Sequence, residues 1–335
     1  MRRATRAACA SAKLRVELGL EKERVLKLLC ATDLLPKTGA AIERAAQLAE
    51  QIDAELSVLH VTQSVEDARR IARGLQRARA LSLRFRTTSP LWTRGRAVPE
   101  VLVRTGNVSK VLPHMAEQLN AALIVLGPQR KRGMLGTLSA TIAQQVLDAS
   151  GCPVLTVHHR PAGRYRNILL AVDGSKGSMA AIRVAESWLL EADSDSRASI
   201  VVSHAPTYEG MLAHANTRTD SSETYSMAWR ADTRATLEAL LKRVSADSQY
   251  DILIEEDQRP AAAILRVAER LRPDLLVMGT RGRRRWRRAL FGSVARQVLR
   301  TVHCDVLLVP EGPYEPSIDR IARASGVGGN ASDRV

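Results

Sequence analysis

Met278-Gly279-Thr280-Arg281-Gly282-Arg283-Arg284-Arg285-Trp286-Arg287-Arg288-Ala289-Leu290-Phe291-Gly292-Ser293-Val294 decides how this chain is read. Two glycines three positions apart close an apolar run at 275–278. A Gly-Ser pair follows nine residues after Gly282, at the head of a segment with helical spacing. Glycines at a strand end let backbone come close where a Cβ would collide. A Gly-Ser that opens a helix offers free N–H groups and a hydroxyl to an anion. The physical reading is a phosphate site at the end of a parallel strand, and the alternative is a Gly/Arg surface loop.

Working outward, the stretch has a relative. An offset of 152 aligns Gly127 with Gly279, Ala143 with Ala295, Gln145 with Gln297, Val146 with Val298 and Leu147 with Leu299, without a gap. The same offset pairs Cys152 with Cys304, Val154 with Val306, Leu155 with Leu307 and Val157 with Val309. Upstream, Cys30-Ala31-Thr32-Asp33 matches Leu170-Ala171-Val172-Asp173 at an offset of 140, so the second copy carries about 12 extra residues in between. A period this long means two whole domains.

Within each copy, strand-like and helix-like segments alternate. Strands are expected at 25–31, 56–61, 101–105, 122–126 and 154–158, then at 168–172, 199–203, 252–255, 275–278 and 306–309. Helices are expected at 39–52, 65–83, 108–118 and 138–149, then at 178–191, 224–244, 261–271 and 294–301. Near-continuous apolar strands separated by amphipathic helices argue for parallel sheets covered on both faces. The expected organisation is an N-terminal extension at 1–24, disordered or outside the native start, a first domain at 25–160, a linker at 161–165 around Pro161-Ala162-Gly163, a second domain at 166–311 and a flexible tail at 312–335. The first residues are basic without an acid and superficially resemble a transit peptide.

Composition narrows the chemistry. At 335 residues and 45% hydrophobic the chain can bury two cores, and with aromatics at 3% those cores must be Ala, Val, Leu and Ile. No run approaches the length of a membrane span. Cys9, Cys30, Cys152 and Cys304 form no CxxC pair and read as small buried hydrophobes in a reducing cytoplasm. The histidines at 60, 114, 158, 159, 204, 214 and 303 are scattered. Those that follow strands, His60, His204 and the His158-His159 pair, read as backbone-bonded rather than metal-bound. No Gly-x-x-x-x-Gly-Lys-Ser/Thr loop and no Gly-x-Gly-x-x-Gly after a strand is present, which argues against motor NTPases and dehydrogenases.

In open parallel sheets ligands bind beyond the carboxyl ends of the strands, where the strand order reverses. Asp173, after the first strand of the second copy, then faces Gly279 if those two strands are neighbours. Its carboxylate can take a ribose hydroxyl, help hold a magnesium ion, or cap the Asp-Gly-Ser turn.

These residues resemble the universal stress protein family, over about residues 25–310. The likeness is carried by Leu169-Leu170-Ala171-Val172-Asp173-Gly174-Ser175, by Gly279-Thr280-Arg281-Gly282 with Gly292-Ser293-Val294, and by Cys304-Asp305-Val306-Leu307-Leu308-Val309-Pro310. The resemblance implies an α/β fold of two tandem domains, each an open five-stranded parallel sheet with helices on both faces. It implies ATP, with Mg2+, in the second domain. Ala171, Val172 and Asp173 would line the adenosine, with Ala205 by the adenine. Met278 and Gly279 would flank the ribose, and Gly282, Gly292, Ser293 and Val294 would hold phosphates. A cytoplasmic stress-response protein rather than a turnover enzyme follows from the same likeness, with slow hydrolysis or autophosphorylation on Ser293 still compatible. The first copy departs: Arg130 replaces the second glycine, Ala140-Thr141 replaces Gly-Ser, and Pro128 removes an N–H. It reads as a built-in dimer partner without ATP, and a homodimer of the whole chain and an unidentified protein partner are both compatible with the sequence.

A net charge of +15 supports a contrasting reading. In it, the protein is a nucleotide-free basic scaffold that binds protein or nucleic acid through residues 281–288, with Trp286 stacking on a base. The polar segment 206–223 reads as an insertion, or as a lid over the nucleotide.

Overall fold

The computed structural model describes residues 26–33, 39–82, 99–127, 138–190, 196–203, 222–242, 250–255, 257, 259–280 and 292–311. The first half runs β1 (Lys27–Thr32), α1 (Gly39–Gln51), β2 (Glu55–Thr62), α2 (Val65–Ser82), β3 (Glu100–Thr105), α3 (Val108–Gln118), β4 (Leu123–Leu126), α4 (Leu138–Ser150) and β5 (Val154–Thr156). The second half runs β6 (Asn167–Ala171), α5 (Lys176–Ala185) with a π turn at Glu186–Leu190, β7 (Arg197–Ser203), α6 (Ser222–Lys242), β8 (Tyr250–Glu255), α7 (Pro260–Leu271), β9 (Leu275–Gly279), α8 (Ser293–Thr301) and β10 (Asp305–Val309). Every segment expected from the sequence pattern is present among these elements, within a few residues at each end.

The central strands are apolar on both faces, so they can only be interior. Leu28 and Leu29 of β1, or Leu276 and Val277 of β9, are fully buried although their side chains point to opposite faces. The ten strands form one sheet in the order β3-β2-β1-β4-β5-β10-β9-β6-β7-β8. Pairing is parallel within each half and antiparallel at the β5–β10 seam. At that seam Leu155 pairs with Leu307, flanked by Val154 with Leu308 and Thr156 with Val306. Leu155 and Leu307 are counterparts in the repeat, so a pseudo-twofold axis passes through this pair.

The seam also merges the cores. One face of the sheet buries Cys30, Val58, Leu170 and Ile200 against Ala41, Ala45 and Leu48 of α1 and Ile182, Ala185 and Trp188 of α5 and its π turn. The other buries Leu29, Leu59, Ile124, Leu276 and Leu308 against α3, α4, α7 and α8, through Leu112, Val146, Ile264 and Val298. Each fully buried Leu or Ile contributes about 1.5–3 kcal/mol. Alanine on the helices lets them lie close to the sheet, which is how a chain poor in aromatics fills its interior.

Local chemistry starts and stops the helices. Asn107 caps α3 by accepting from the N–H of Ser109 (2.9 Å), Ser175 caps α5 through Ser178 N–H (3.2 Å), and Pro260 opens α7. The π turn was not legible from a 3.6-residue period. Its Trp188 carbonyl accepts from Gln51 Nε2 (3.4 Å) of α1 and so reaches across to the first half. No helix among the described residues is long and apolar enough to cross a membrane.

Candidate functional site

Strands β6 and β9 are neighbours, with Ala171 opposite Met278. From β6 the chain passes through α5 to β7 on one side, while β9 lies on the other, so the crevice of reversed strand order opens between β6 and β9. Ala171, Val172 and Met278 are buried in its floor. Strand β6 ends at Ala171, two residues before Asp173, and Val172 N–H still donates to the Val201 carbonyl (3.0 Å).

Asp173 stands half-buried at the crevice mouth. Its Oδ1 accepts from Ser175 N–H (2.9 Å), and Gly174 takes φ +74°. The turn-capping role that the sequence left open is therefore present, and it fixes the carboxylate at the lip of the crevice.

Gly279 and Gly292 do something other than clear room for a ligand. A Cβ on Gly279 would lie 2.5 Å from the carbonyl carbon of Gly177 and 2.8 Å from Ser178 N, both backbone atoms in the first turn of α5. The glycine is needed because a helix rests on it. Thr280, only 1% exposed, donates its N–H to the Val309 carbonyl (3.0 Å) and accepts at its own carbonyl from Gly292 N–H (2.8 Å). A Cβ on Gly292 would come within 2.9 Å of that carbonyl oxygen. The chain thus leaves at Thr280 and returns at Gly292 to the same point, clasped at the end of β9. Gly292 N–H is consumed by the clasp, so it is not among the donors open to a phosphate.

What remains open is the first turn of α8. Gly292 is its N-cap, in extended conformation (φ −70°, ψ 152°), and makes no side-chain cap. Ser293 is exposed and Val294 half-buried. The N–H groups of this turn carry the positive end of the helix dipole toward the crevice. A set of N–H donors and one hydroxyl, with a carboxylate on the neighbouring strand end, suits an anion attached to a polar, hydroxylated body. Of the residues singled out from sequence, Ala171, Val172, Asp173, Met278, Gly279, Gly292, Ser293 and Val294 are brought together at or around this crevice. Ala205, Gly282, the arginine-rich stretch at 281–288 and residues 206–221 lie outside the described residues, and Ser222 and Glu223 belong to α6.

The first half differs at the equivalent place. Helix α4 begins at Leu138, so Ala140, the counterpart of Gly292, lies inside the helix rather than at an extended cap. The floor is more polar, with Thr32 where the second half has Val172. His60 lies within β2, not beyond it, and its Nδ1 is 2.9 Å from the Thr32 carbonyl oxygen. Strand register places His60 opposite Thr32 and so aligns it with Val202, two residues before His204. Pro128, Arg130, Gly133 and Gly136 lie outside the described residues.

Charge elsewhere around the second half is partly neutralised within it. Arg266 and Arg270 of α7 bond Asp257 and Glu255 at 2.6 and 3.0 Å, exposed ties of small energetic weight. Gly177 and Thr280 escaped the sequence reading because their importance is backbone contact, which side-chain identity does not advertise.

Cys30 and Cys152 are buried free thiols, and burial pushes both up to about 12. Cys304, half-buried, is pushed up to about 12 by burial first and Asp305 second. The thiolate is the reactive form. Iodoacetamide at pH 8 is therefore expected to leave these three unmodified in the native chain and to alkylate them once the chain is unfolded. Mass-spectrometric detection of native-state labelling at Cys30 or Cys152 would contradict their packing.

Comparison with known proteins agrees with this architecture. The family model described as "Universal stress protein family" matches residues 25–158 and again 164–310. A universal stress protein of Methanocaldococcus jannaschii is 32% identical over 154 residues, covering 45% of this chain and 85% of that protein. Among solved structures, a functionally unknown protein of Pseudomonas aeruginosa superposes with TM-score 0.61 at 18% identity, covering 90% of this chain and 98% of the other. A universal stress protein of Archaeoglobus fulgidus superposes with TM-score 0.58 at 19% identity, covering 86% and 97%. At such identities the structural likeness speaks for the fold.

Proposed function

The chain belongs to the universal stress protein family, and on that premise we propose that its second half binds ATP as a regulatory ligand while its first half does not. The observation that carries the reading is the first turn of α8, which has no side-chain cap and lies at the crevice where Ala171 and Met278 are paired on adjacent strands, with Asp173 two residues past the end of β6. Ala171, Val172 and Asp173 receive the adenosine with Ala205, and Met278 with Gly279 flanks the ribose. The phosphates are taken by the N–H groups of Ser293 and Val294 and by the Ser293 hydroxyl, with Gly282 beside them. Gly279 and Gly292 act at one remove: the first seats α5 and the second closes the clasp that presents α8.

Asp173 is the carboxylate at this crevice, and no cluster of three His, Cys, Asp or Glu side chains occurs among the described residues. Such a donor set fits Mg2+ held mainly by phosphates and water. Nucleotide binding then alters the surface around residues 281–291, which a partner protein reads in a cytoplasmic stress response. Ligand-dependent regulation, not turnover, is the activity.

Ser293→Pro tests the reading cleanly. Proline at the first helical position loses only an N–H that the helix does not use, and Gly292 already has the extended conformation that a residue before proline prefers. The fold should be unchanged while one N–H and one hydroxyl are lost to phosphate. At a hundredfold excess over its dissociation constant Mg-ATP adds about 2.7 kcal/mol, which raises unfolding of a ~150-residue unit by about 5–10 °C. That shift is expected in wild type at 150 and 500 mM salt and reduced to a small residue in Ser293→Pro. A shift that survives the substitution and vanishes with salt would instead support the polyanion reading of residues 281–288.

A further inference from the structure

A buried polar cluster ties the two halves together and takes no part in the crevice. Arg44 of α1, 6% exposed, places Nε 3.4 Å from Oδ2 of Asp305, the first residue of β10, itself 3% exposed. Its Nη1 donates to the Gly163 carbonyl (2.7 Å) and to Gln47 Oε1 (3.1 Å), and the guanidinium lies 3.9 Å over the Tyr165 ring. The Tyr165 hydroxyl donates to Asp305 Oδ2 (2.7 Å), and Oδ1 accepts from the backbone N–H of His158 (2.8 Å). One carboxylate from the second half is thus held by a helix of the first half, by His158 two residues past its last strand, and by the linker.

Across the pseudo-twofold, the counterparts of its charged pair are apolar. The repeat aligns Arg44 with Val184 and Asp305 with Pro153. Val184 and Pro153 are themselves buried, so the sheet does not require a charged pair at these two positions. A buried ion pair is weak evidence for stability but is well suited to act as a registry or switching device.

The His158 imidazole completes the device. Its Nδ1 is buried without a hydrogen-bond partner among the described residues. Acting on it are Asp305 at the head of β10, His303 before that strand, His159 next in sequence and the Thr156 backbone, and Asp305 in turn touches Arg44 and Tyr165. His159 Nε2 is 2.6 Å from the His303 carbonyl oxygen. At the exposed rim, Arg160 pairs with Glu43 (3.2 Å).

We propose that Arg44, Tyr165 and Asp305 form an acid-sensitive latch between the halves, with His158 as its proton sensor. A neutral imidazole fits the buried site. A protonated one puts a charge where water is excluded, beside His159 and His303, with only the Asp305 carboxylate and the Thr156 backbone to offset it, and separation of the halves returns that charge to solvent. Burial holds His158 below its ordinary value, with Asp305 and the Thr156 backbone only partly opposing this and His159 and His303 reinforcing it. A folded-state value below the unfolded one means that stability is complete above about pH 6.5 and is lost as pH falls below it. Tyr165, pushed well above its ordinary value, and Cys304, pushed up to about 12, stay neutral throughout that window.

Differential scanning calorimetry of the full chain without nucleotide tests the latch. Wild type is expected to unfold in one transition at pH 7.5 and in two at pH 5.0, separated by about 2–8 °C, the shift that 1–2 kcal/mol produces in units of this size. His158→Gln, which cannot charge, should keep a single transition at both values. Arg44→Met should show two at pH 7.5 already. Should Arg44→Met be insoluble, Arg44→Lys, which keeps the charge but loses the planar fork over Tyr165, should split at a higher pH than wild type. A single wild-type transition down to pH 5.0, a His158→Gln chain that splits as wild type does, or an Arg44 variant that never splits would each overturn the proposal.

Discussion

Gly279→Ala is expected to destabilise the second half by about 3 kcal/mol or more, lowering its unfolding temperature by about 6–12 °C. The added Cβ would stand 2.5 Å from the Gly177 carbonyl carbon, closer than real Cβ atoms come to anything, and the obstructing atoms are backbone. No side chain can swing aside, so α5 must lift from β9 or the strand must bend. Either movement disturbs the Asp173 turn at the head of α5 and the Thr280 clasp at the end of β9. Gly39→Ala is the control: a Cβ at Gly39, the first residue of α1, meets nothing within 4 Å, and its unfolding temperature should stay close to wild type. A Gly279→Ala chain that melts with wild type would show that α5 does not rest on this strand end as described.

The second large effect concerns the seam. Asp305→Asn keeps an acceptor for the His158 N–H and a partner for the Tyr165 hydroxyl, yet it strands the buried Arg44 guanidinium without a counter-charge. Breaking a buried pair from one side costs about 3–5 kcal/mol, and the hydrogen bonds Arg44 keeps to Gly163 and Gln47 place this case near the lower figure. Adding Arg44→Met removes the stranded charge, so the double variant is expected to be more stable than Asp305→Asn alone. The apolar Val184 and Pro153 on the opposite side of the pseudo-twofold give the physical precedent. Calorimetric stabilities of the two single variants and the double close a cycle. Strictly additive losses would mean that Arg44 and Asp305 do not interact.

Much of this molecule is written in its apolar periodicity. Runs such as Leu28-Leu29-Cys30 and Leu275-Leu276-Val277-Met278 can be buried on both faces only in a covered parallel sheet, and the repeat at offset 152 announces two such sheets. That the sheets fuse through an antiparallel β5–β10 seam is not in the pattern, because an apolar edge strand looks the same whether a helix, a second chain or its own repeat covers it. The crevice was legible as far as residue type carries it: glycines, Ser293 and the strand-end Asp173. Its construction was not. The pattern presents Gly279 as a clearance for a ligand and Gly292 as an N–H donor to it, yet their missing Cβ atoms face Gly177 and the Thr280 carbonyl, and the Gly292 N–H bonds that carbonyl. Sequence spacing shows that a glycine is required but not which backbone requires it. The Arg44–Tyr165–Asp305 cluster escaped for a similar reason, since its members are about 120 and 140 residues apart and meet only after the halves dock. The signal available was asymmetry, an Asp at 305 where the repeat has Pro153.

The central claim, one competent crevice and one altered, is tested most directly by the stoichiometry of ATP binding. Isothermal titration of Mg-ATP into the full chain at 500 mM salt should give one nucleotide per chain. Ser293→Pro should weaken that binding roughly ten- to a hundredfold, the worth of a hydrogen bond to a charged group. Two nucleotides per chain would contradict the altered first half. None, or one whose affinity ignores Ser293→Pro, would contradict the site at the head of α8.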